Sequence, residues 1–308
     1  MTVTLIIQAA RGEDYMADMC SHFLYQRAAE NIPIYTNTHP PYLFGDFPID
    51  APLYGRGYTV YRKIPVEQRT RITIVDSSFI QNGIRARLFG RIIWTSIWRC
   101  SDYLNMALDC GYDRGALVVV DGEDGTDLFQ LDESCVRAPL TQVVRYYKRE
   151  LTAEKAQIGA QPISFKFPSI HPVLSSPFKP KSRILAGCDP RFPASYIYNS
   201  EQGYYENYQE SLFAFTTQKS GWDCLRHYEI LANNCIPVFP DILNMPTNTM
   251  VEWSRELQQR ANLLWIHISG IRNRDISEEL EYWSELMDDF RTLFERQMLT
   301  DALSFLIT

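Results

Sequence analysis

The chain contains no Cys-x-x-Cys pair, and its seven cysteines (Cys20, Cys100, Cys110, Cys135, Cys188, Cys224 and Cys235) are scattered and odd in number. That pattern excludes a disulfide-stapled secreted module and predicts free thiols in a reducing compartment. The five histidines (His22, His39, His171, His227 and His267) fall at no ligand spacing, which argues against a zinc site. There is no Walker loop, and Gly55-Arg-Gly57 has neither a third glycine nor a following helix start, so the common nucleotide fingerprints are absent. No apolar run reaches the length of about 18 residues needed to span a bilayer. Met1 to Arg11 reads as a first β-strand rather than a leader. Positive charge is scarce too: 30 basic residues against 37 acidic give a net charge of -7, and no nucleic-acid partner is expected. Internal repeats and low-complexity tracts are missing.

What is present is ample apolar material, 45% of 308 residues, enough for one large domain or two of about 150 residues. Apolar runs alternate with helical periodicity. Strands are predicted at Val3–Ala9, Ile32–Tyr35, Tyr58–Ile64, Arg71–Val75, Ala116–Val120 and Val143–Leu151, and helices at Tyr15–Glu30 and Arg85–Cys110. The stretch from Ala160 to Arg183 holds five prolines and no acidic residue, as a crossover would. Beyond it, strands are predicted at Arg183–Gly187, Leu212–Phe215, Ile236–Phe239 and Leu264–Ile268. Helices are predicted at Tyr204–Glu210, Trp222–Leu231, Met250–Leu263 and from Ile276 onward. The fold class expected is α/β, two Rossmann-like domains facing a cleft, over residues 1–160 and 161–308, with the last helix a candidate to cross back.

The most informative segment is Ser211 to Asp241: an apolar strand, a polar turn, a helix and a second apolar strand. A strand delivering a turn and a helix N-terminus is a common phosphate cradle. Ser220 and Asp223, three residues apart, are expected to form a capping box. Lys219 in the turn and Arg226 one turn into the helix suit a diphosphate, the arginine bidentately. Gly221 gives the turn its freedom. Glu229 lies three residues beyond Arg226, on the same helix face, and an ionised carboxylate suits ribose hydroxyls. A solvated ladder of Asp223, Arg226 and Glu229 is the plainer alternative.

This segment resembles the C-terminal half of exostosin-type glycosyltransferases, on Lys219-Ser-Gly221, Arg226-His-Tyr-Glu229-Ile-Leu231 and Cys235-Ile-Pro-Val238. The match runs from about Tyr204 to Pro246. Asn234 stands where that family usually has glycine. The resemblance implies a GT-B architecture, a nucleotide-sugar donor (a UDP-sugar favoured) with arginine toward the diphosphate and glutamate toward the ribose, and a glycan or glycoprotein acceptor. It implies no cofactor beyond the donor and no protein-bound metal. Soluble bacterial or large-DNA-virus relatives are the nearer type, with a cytoplasmic location, that of the host if viral.

A second acidic segment, Asp121-Gly-Glu-Asp-Gly-Thr-Asp127, follows the apolar run at Ala116–Val120. It fails as an EF-hand loop, because its glycine is misplaced and position twelve is Asp132. Three readings stay open. Asp121, Glu123 and Asp124 could hold a metal in a GT-A transferase; Asp124 or Glu123 could be the catalytic base of an inverting GT-B enzyme; or the loop is a plain acidic turn. Lys148, Arg149 and Glu150 are candidates for the cleft wall or for a charged surface turn. Asp76-Ser-Ser78 and the aromatic stretch Tyr35–Tyr61 are weaker candidates for acceptor contacts. A non-catalytic glycan- or nucleotide-binding protein is the rival of another class.

Overall fold

The computed structural model describes residues 3–10, 14–28, 33–47, 60–62, 64–131, 139–169, 171–175, 179–271, 276–296, 298–299 and 303–306. Gly55, Gly57, Asp132, Cys135 and residues 48–59 of the aromatic stretch lie outside them.

Seven strands form one wholly parallel sheet: β1 (Thr4–Ile7), β2 (Ile34–Thr36), β3 (Thr73–Ile74), β4 (Arg91–Trp94), β5 (Leu117–Asp121), β6 (Arg145–Lys148) and β7 (Gln161–Pro162). Their order is β3-β2-β1-β4-β5-β6-β7, which reverses direction between β1 and β4. That reversal opens a crevice at the C-terminal ends of the central strands. Strands β4 and β5 are buried at every position, as parallel strands covered on both faces are. Alternate side chains go to opposite faces. Ile6, Ile93, Val118 and Val120 pack with α1 (Tyr15–Arg27), while Leu5, Ile92, Trp94 and Val119 pack with α2 (Ser77–Arg85) and α3 (Leu104–Asp109). Short helices α4 (Leu140–Val143) and α5 (Ala153–Gln157) flank β6.

The second unit is smaller. After β8 (Phe167–Pro168), strands β9 (Arg183–Leu185), β10 (Ser211–Phe215) and β11 (Ile236–Val238) make a parallel sheet in the order β11-β10-β9. Helices α6 (Glu201–Gln209), α7 (Leu225–Ala232), α8 (Arg255–Gly270) and α9 (Ser277–Glu295) surround it. The Trp283 indole of α9 donates to the Leu212 carbonyl of β10 at 3.1 Å. The chain then returns: β12 (Met298–Leu299) pairs with β8, and Phe305 stacks on Tyr147 of β6 at 4.0 Å. One apolar cluster runs from the α1 face of the first sheet into the second sheet. Two parallel α/β units thus face each other across a cleft. No helix among the described residues is long and apolar enough to cross a membrane.

Three sequence expectations are corrected. Arg85–Cys110 is not a helix but the end of α2, then β4, then α3. Arg87 (φ 54°) and Tyr103 (φ 66°) adopt left-handed backbone that no continuous helix accommodates. The β-branched pair Ile92-Ile93 then forms the strand. Leu264–Ile268 is no strand but the last turns of α8, because no breaker separates it from the preceding residues. In Tyr58–Ile64 the described residues form no strand, and Ile64 only bridges Phe44.

Because Ile93 is fully buried at the centre of the large sheet and Ile74 is 53% exposed at its edge, truncating them has opposite consequences. Ile93→Ala lowers the free energy of urea unfolding by about 2–5 kcal/mol. Ile74→Ala stays within about 0.5 kcal/mol of the unsubstituted protein. Equal losses in the two variants would contradict the strand order.

Candidate functional site

A cleft of about 460 Å³ opens beyond β1, β4, β5 and β6 of the first sheet and is closed by the segment after β10 of the second. The candidates for catalytic base and for donor binding all line it: Glu123 and Asp124 on one wall, Lys219, Ser220, Gly221, Asp223, Arg226 and Glu229 on the other.

The turn is built differently from the capping box expected of it. Helix α7 starts at Leu225 with Cys224 as its N-cap and no side-chain cap. Ser220 and Lys219 stay exposed at the rim, Lys219 lying 5.6 Å over the Tyr196 ring. Asp223 turns inward and is fully buried. Its carboxylate accepts the Phe165 N–H at 2.8 Å and the Tyr228 hydroxyl at 2.9 Å. Burial lifts its pKa to about 6, with Arg149 pulling the other way. With both oxygens engaged, this side chain pins the turn to the segment leading into β8. His227 is also interior: it bonds the Thr216 hydroxyl at 2.8 Å and the Trp222 carbonyl at 2.7 Å, and burial holds its pKa at about 3. A neutral ring donating to the carbonyl and accepting from the hydroxyl satisfies both bonds. The plainer reading of Asp223, Arg226 and Glu229 as a solvated ladder does not describe these positions.

Arg226 is half-buried in the cleft wall, and its Nη1 has no hydrogen-bond partner. Among the described residues no carboxylate lies within ion-pair distance of it. One turn on, Glu229 is 6% exposed and accepts the Tyr204 and Tyr205 hydroxyls at 3.4 and 3.3 Å. Burial raises its pKa to about 7, against the pull of Arg226. A buried guanidinium nitrogen without a partner calls for an anion, while the Glu229 carboxyl beside it, already taking two tyrosine hydroxyls, is built to accept O–H groups.

On the opposite wall Asp121 faces away from the cleft. Oδ1 accepts from the Lys148 ammonium at 2.9 Å and the Glu123 N–H at 3.1 Å; Oδ2 accepts from the Trp98 indole at 3.0 Å and from the Tyr146 hydroxyl. The three-carboxylate set Asp121, Glu123 and Asp124 therefore does not converge, and among the described residues no three such ligands gather. Glu123 and Asp124 reach outward, paired with Arg99 at 3.5 Å and with Arg149. Gly122 runs flush against α1: a Cβ there would fall 2.5 Å from that of Met16.

Lys148, Arg149 and Glu150 are no surface turn. All three are buried. The Arg149 guanidinium donates to the Gly122 carbonyl at 3.0 Å, to the Asp124 carboxylate and to the Asp223 carbonyl. Burial works against its charge, but Glu150, Asp223 and Asp124 more than compensate and raise its pKa. Glu150 sits 3.2 Å from that guanidinium and accepts the Asp223 N–H at 3.0 Å. Gly221 is required here, since a Cβ would lie 2.6 Å from Glu150 and 3.0 Å from Arg149. Asp76, considered for an acceptor contact, accepts the Phe79 N–H at 2.8 Å as the cap of α2.

Sequence reasoning passed over Asp14, Arg99 and Tyr196, which also line the cleft. Asp14 caps α1 by accepting the Ala17 N–H at 3.1 Å, and burial raises its pKa while Arg99 and Arg149 oppose the shift. Its signal was available: a carboxylate in the loop after the first strand, as Glu123 and Asp124 lie in the loop after the fifth. Arg99 was hidden inside the helix wrongly expected over residues 85–110.

No family model and no curated protein matches the sequence. Among solved structures the chain is similar to MurG of Acinetobacter baumannii, at 9% identity over 100% of this chain and 95% of that one, with a TM-score of 0.34. It is also similar to an alpha-glucosyltransferase in complex with UDP and a 13-mer DNA, at 14% identity over 99% and 95%, with a TM-score of 0.28. Overlaps of that extent carry no functional argument, which rests on the site itself.

The raised pKa of Glu229 makes a pH-dependent stability prediction. Its carboxyl titrates near 4.5 when unfolded and about 7 when folded, so ionisation disfavours the fold. The cost is absent below pH 4.5, grows through the interval and is complete above pH 7, on the order of 3 kcal/mol. Glu229→Gln removes the ionisation. Its melting temperature should exceed that of the unsubstituted protein by a margin that widens from pH 5 to pH 8. A constant margin would refute the buried carboxyl.

Proposed function

We propose that this chain is a GT-B glycosyltransferase that moves a sugar from a nucleoside-diphosphate sugar, a UDP-sugar favoured, onto a glycan hydroxyl with inversion. The observation carrying the reading is Arg226: a guanidinium with no carboxylate partner among the described residues, facing a cleft between two parallel α/β units, one helix turn from a buried carboxyl. Arg226 binds the diphosphate, assisted by Lys219 at the rim and by the turn Ser220–Gly221. Glu229 accepts ribose hydroxyls. Asp223 contributes through its backbone and by pinning the turn.

In the transfer the acceptor oxygen bonds to the anomeric carbon while the bond from that carbon to the diphosphate oxygen breaks, its electron pair leaving with the diphosphate. Arg226 and Lys219 neutralise that developing charge. The hydroxyl proton passes to a carboxylate of the first wall. Asp124, whose side chain is 53% exposed and oriented by Arg149, is the base, with Glu123 beside it. Asp14 is a second reading for this role, favoured by its raised pKa, because a base titrating nearer neutrality takes a proton more readily. The reading needs no cofactor other than the donor and no protein-bound metal, and it places the enzyme in the cytoplasm, in keeping with its six described free cysteines.

The test is UDP release from UDP-sugars in the presence of a mixed glycan acceptor. Turnover is expected to survive EDTA; its loss would favour a metal-dependent transferase. Asp124→Asn is expected to lower kcat by a factor of about 100 or more while leaving donor KM within about two-fold. Full activity in Asp124→Asn with loss in Asp14→Asn would move the base to Asp14. Nucleotide binding without turnover of any UDP-, GDP- or ADP-sugar would leave a binding protein.

A further inference from the structure

A second hollow, of about 410 Å³, is lined by Trp98, Asp127, Leu128, Phe129, Gln130, Lys155 and Ile158. We propose that it holds the sugar ring of the acceptor glycan. The proposal rests on the transferase reading for its place in the reaction, and on its own geometry for what it binds.

Two chain segments run from the hollow to the cleft: Trp98 precedes Arg99, which lines the cleft, and Asp127 to Gln130 continue the loop that carries Glu123 and Asp124. Its aromatic walls are held rigidly. The Trp98 indole donates to Asp121 Oδ2 at 3.0 Å, which fixes the ring although 44% of the residue is exposed. Tyr146 donates to the same carboxylate and accepts the Phe129 N–H at 2.8 Å, which fixes the other wall. The two rings meet edge to face, 5.5 Å apart and at 86°. Asp121 Oδ1 meanwhile holds the Glu123 N–H. One buried carboxylate thus sets both walls of the hollow and the start of the proposed catalytic loop, so a ring bound here is registered against that loop.

The chemistry suits a carbohydrate. A fixed indole face and the exposed Ile158 offer an apolar platform for the C–H face of a pyranose. Exposed Asp127 and Gln130 and the Lys155 ammonium ring that platform with acceptors and donors for hydroxyls. A preorganised aromatic loses little freedom on binding.

The experiment is a fluorescence titration with methyl glycosides of common hexoses, hexosamines and pentoses and with short oligosaccharides, set beside separate titrations with UDP and with uridine. At least one glycoside should bind the unsubstituted protein and bind Trp98→Phe about five-fold or more weakly. Trp98→Phe also removes a partner of Asp121, so the exposed Asp127→Ala serves as the second variant. It should weaken the same glycoside about three-fold or more and leave UDP affinity unchanged. Glycoside binding that ignores both variants, no glycoside binding at all, or uridine binding that both variants weaken would overturn the proposal. A protein that binds UDP but no glycoside keeps the donor reading and loses this one. Variant-sensitive glycoside binding without UDP binding does the reverse.

Discussion

The cleft depends on the guanidinium of Arg149. Its contacts with the Gly122 carbonyl and Asp124 belong to the first sheet's loop, and its contact with the Asp223 carbonyl belongs to the second sheet's turn. Glu150 completes the tie by taking the Asp223 N–H. A buried cation of this kind is tolerated only because several acceptors surround it. It brings together two segments about a hundred residues apart in sequence and leaves between them a space that neither unit forms alone. The glycines record how close this contact is, since Gly221 has no room for a Cβ against the Arg149–Glu150 pair.

Two buried carboxylates do related work on either side. Asp223 pins the donor-side turn from behind through Phe165 and Tyr228. Asp121 pins the acidic loop from behind through Lys148, Tyr146 and Trp98. Each frees its neighbours to face the cleft: Arg226 and Glu229 on one wall, Glu123 and Asp124 on the other. Satisfying the supporting charges while leaving Arg226 without a carboxylate among the described residues concentrates the site's unmet electrostatic demand at one point.

The strand-turn-helix-strand from Ser211 to Asp241 was legible because its signals are local: apolar runs bounded by a polar turn, with charges at helical spacing. Asn234 illustrates local physics as well, since its φ of 53° is backbone that glycine and asparagine tolerate best. The inward turn of Asp121 and Asp223 was not legible. It is decided by partners such as Lys148, Tyr146 and Phe165, 25 or more positions away, and a carboxylate after a strand looks the same whether it caps, binds or supports. β4 was lost because Trp94 and Leu104 mimic a helical stripe. They do share a core cluster, but through the sheet rather than through one helix.

The central claim, that Arg226 is the anion receptor of this cleft, is tested most directly by calorimetric titration of UDP and uridine into the unsubstituted protein and Arg226→Ala. The account predicts that UDP binds at least about ten-fold tighter than uridine, and that Arg226→Ala erases most of that difference while leaving uridine affinity nearly unchanged. Equal affinity for UDP and uridine in the unsubstituted protein, or an Arg226→Ala variant that binds UDP as before, would contradict it.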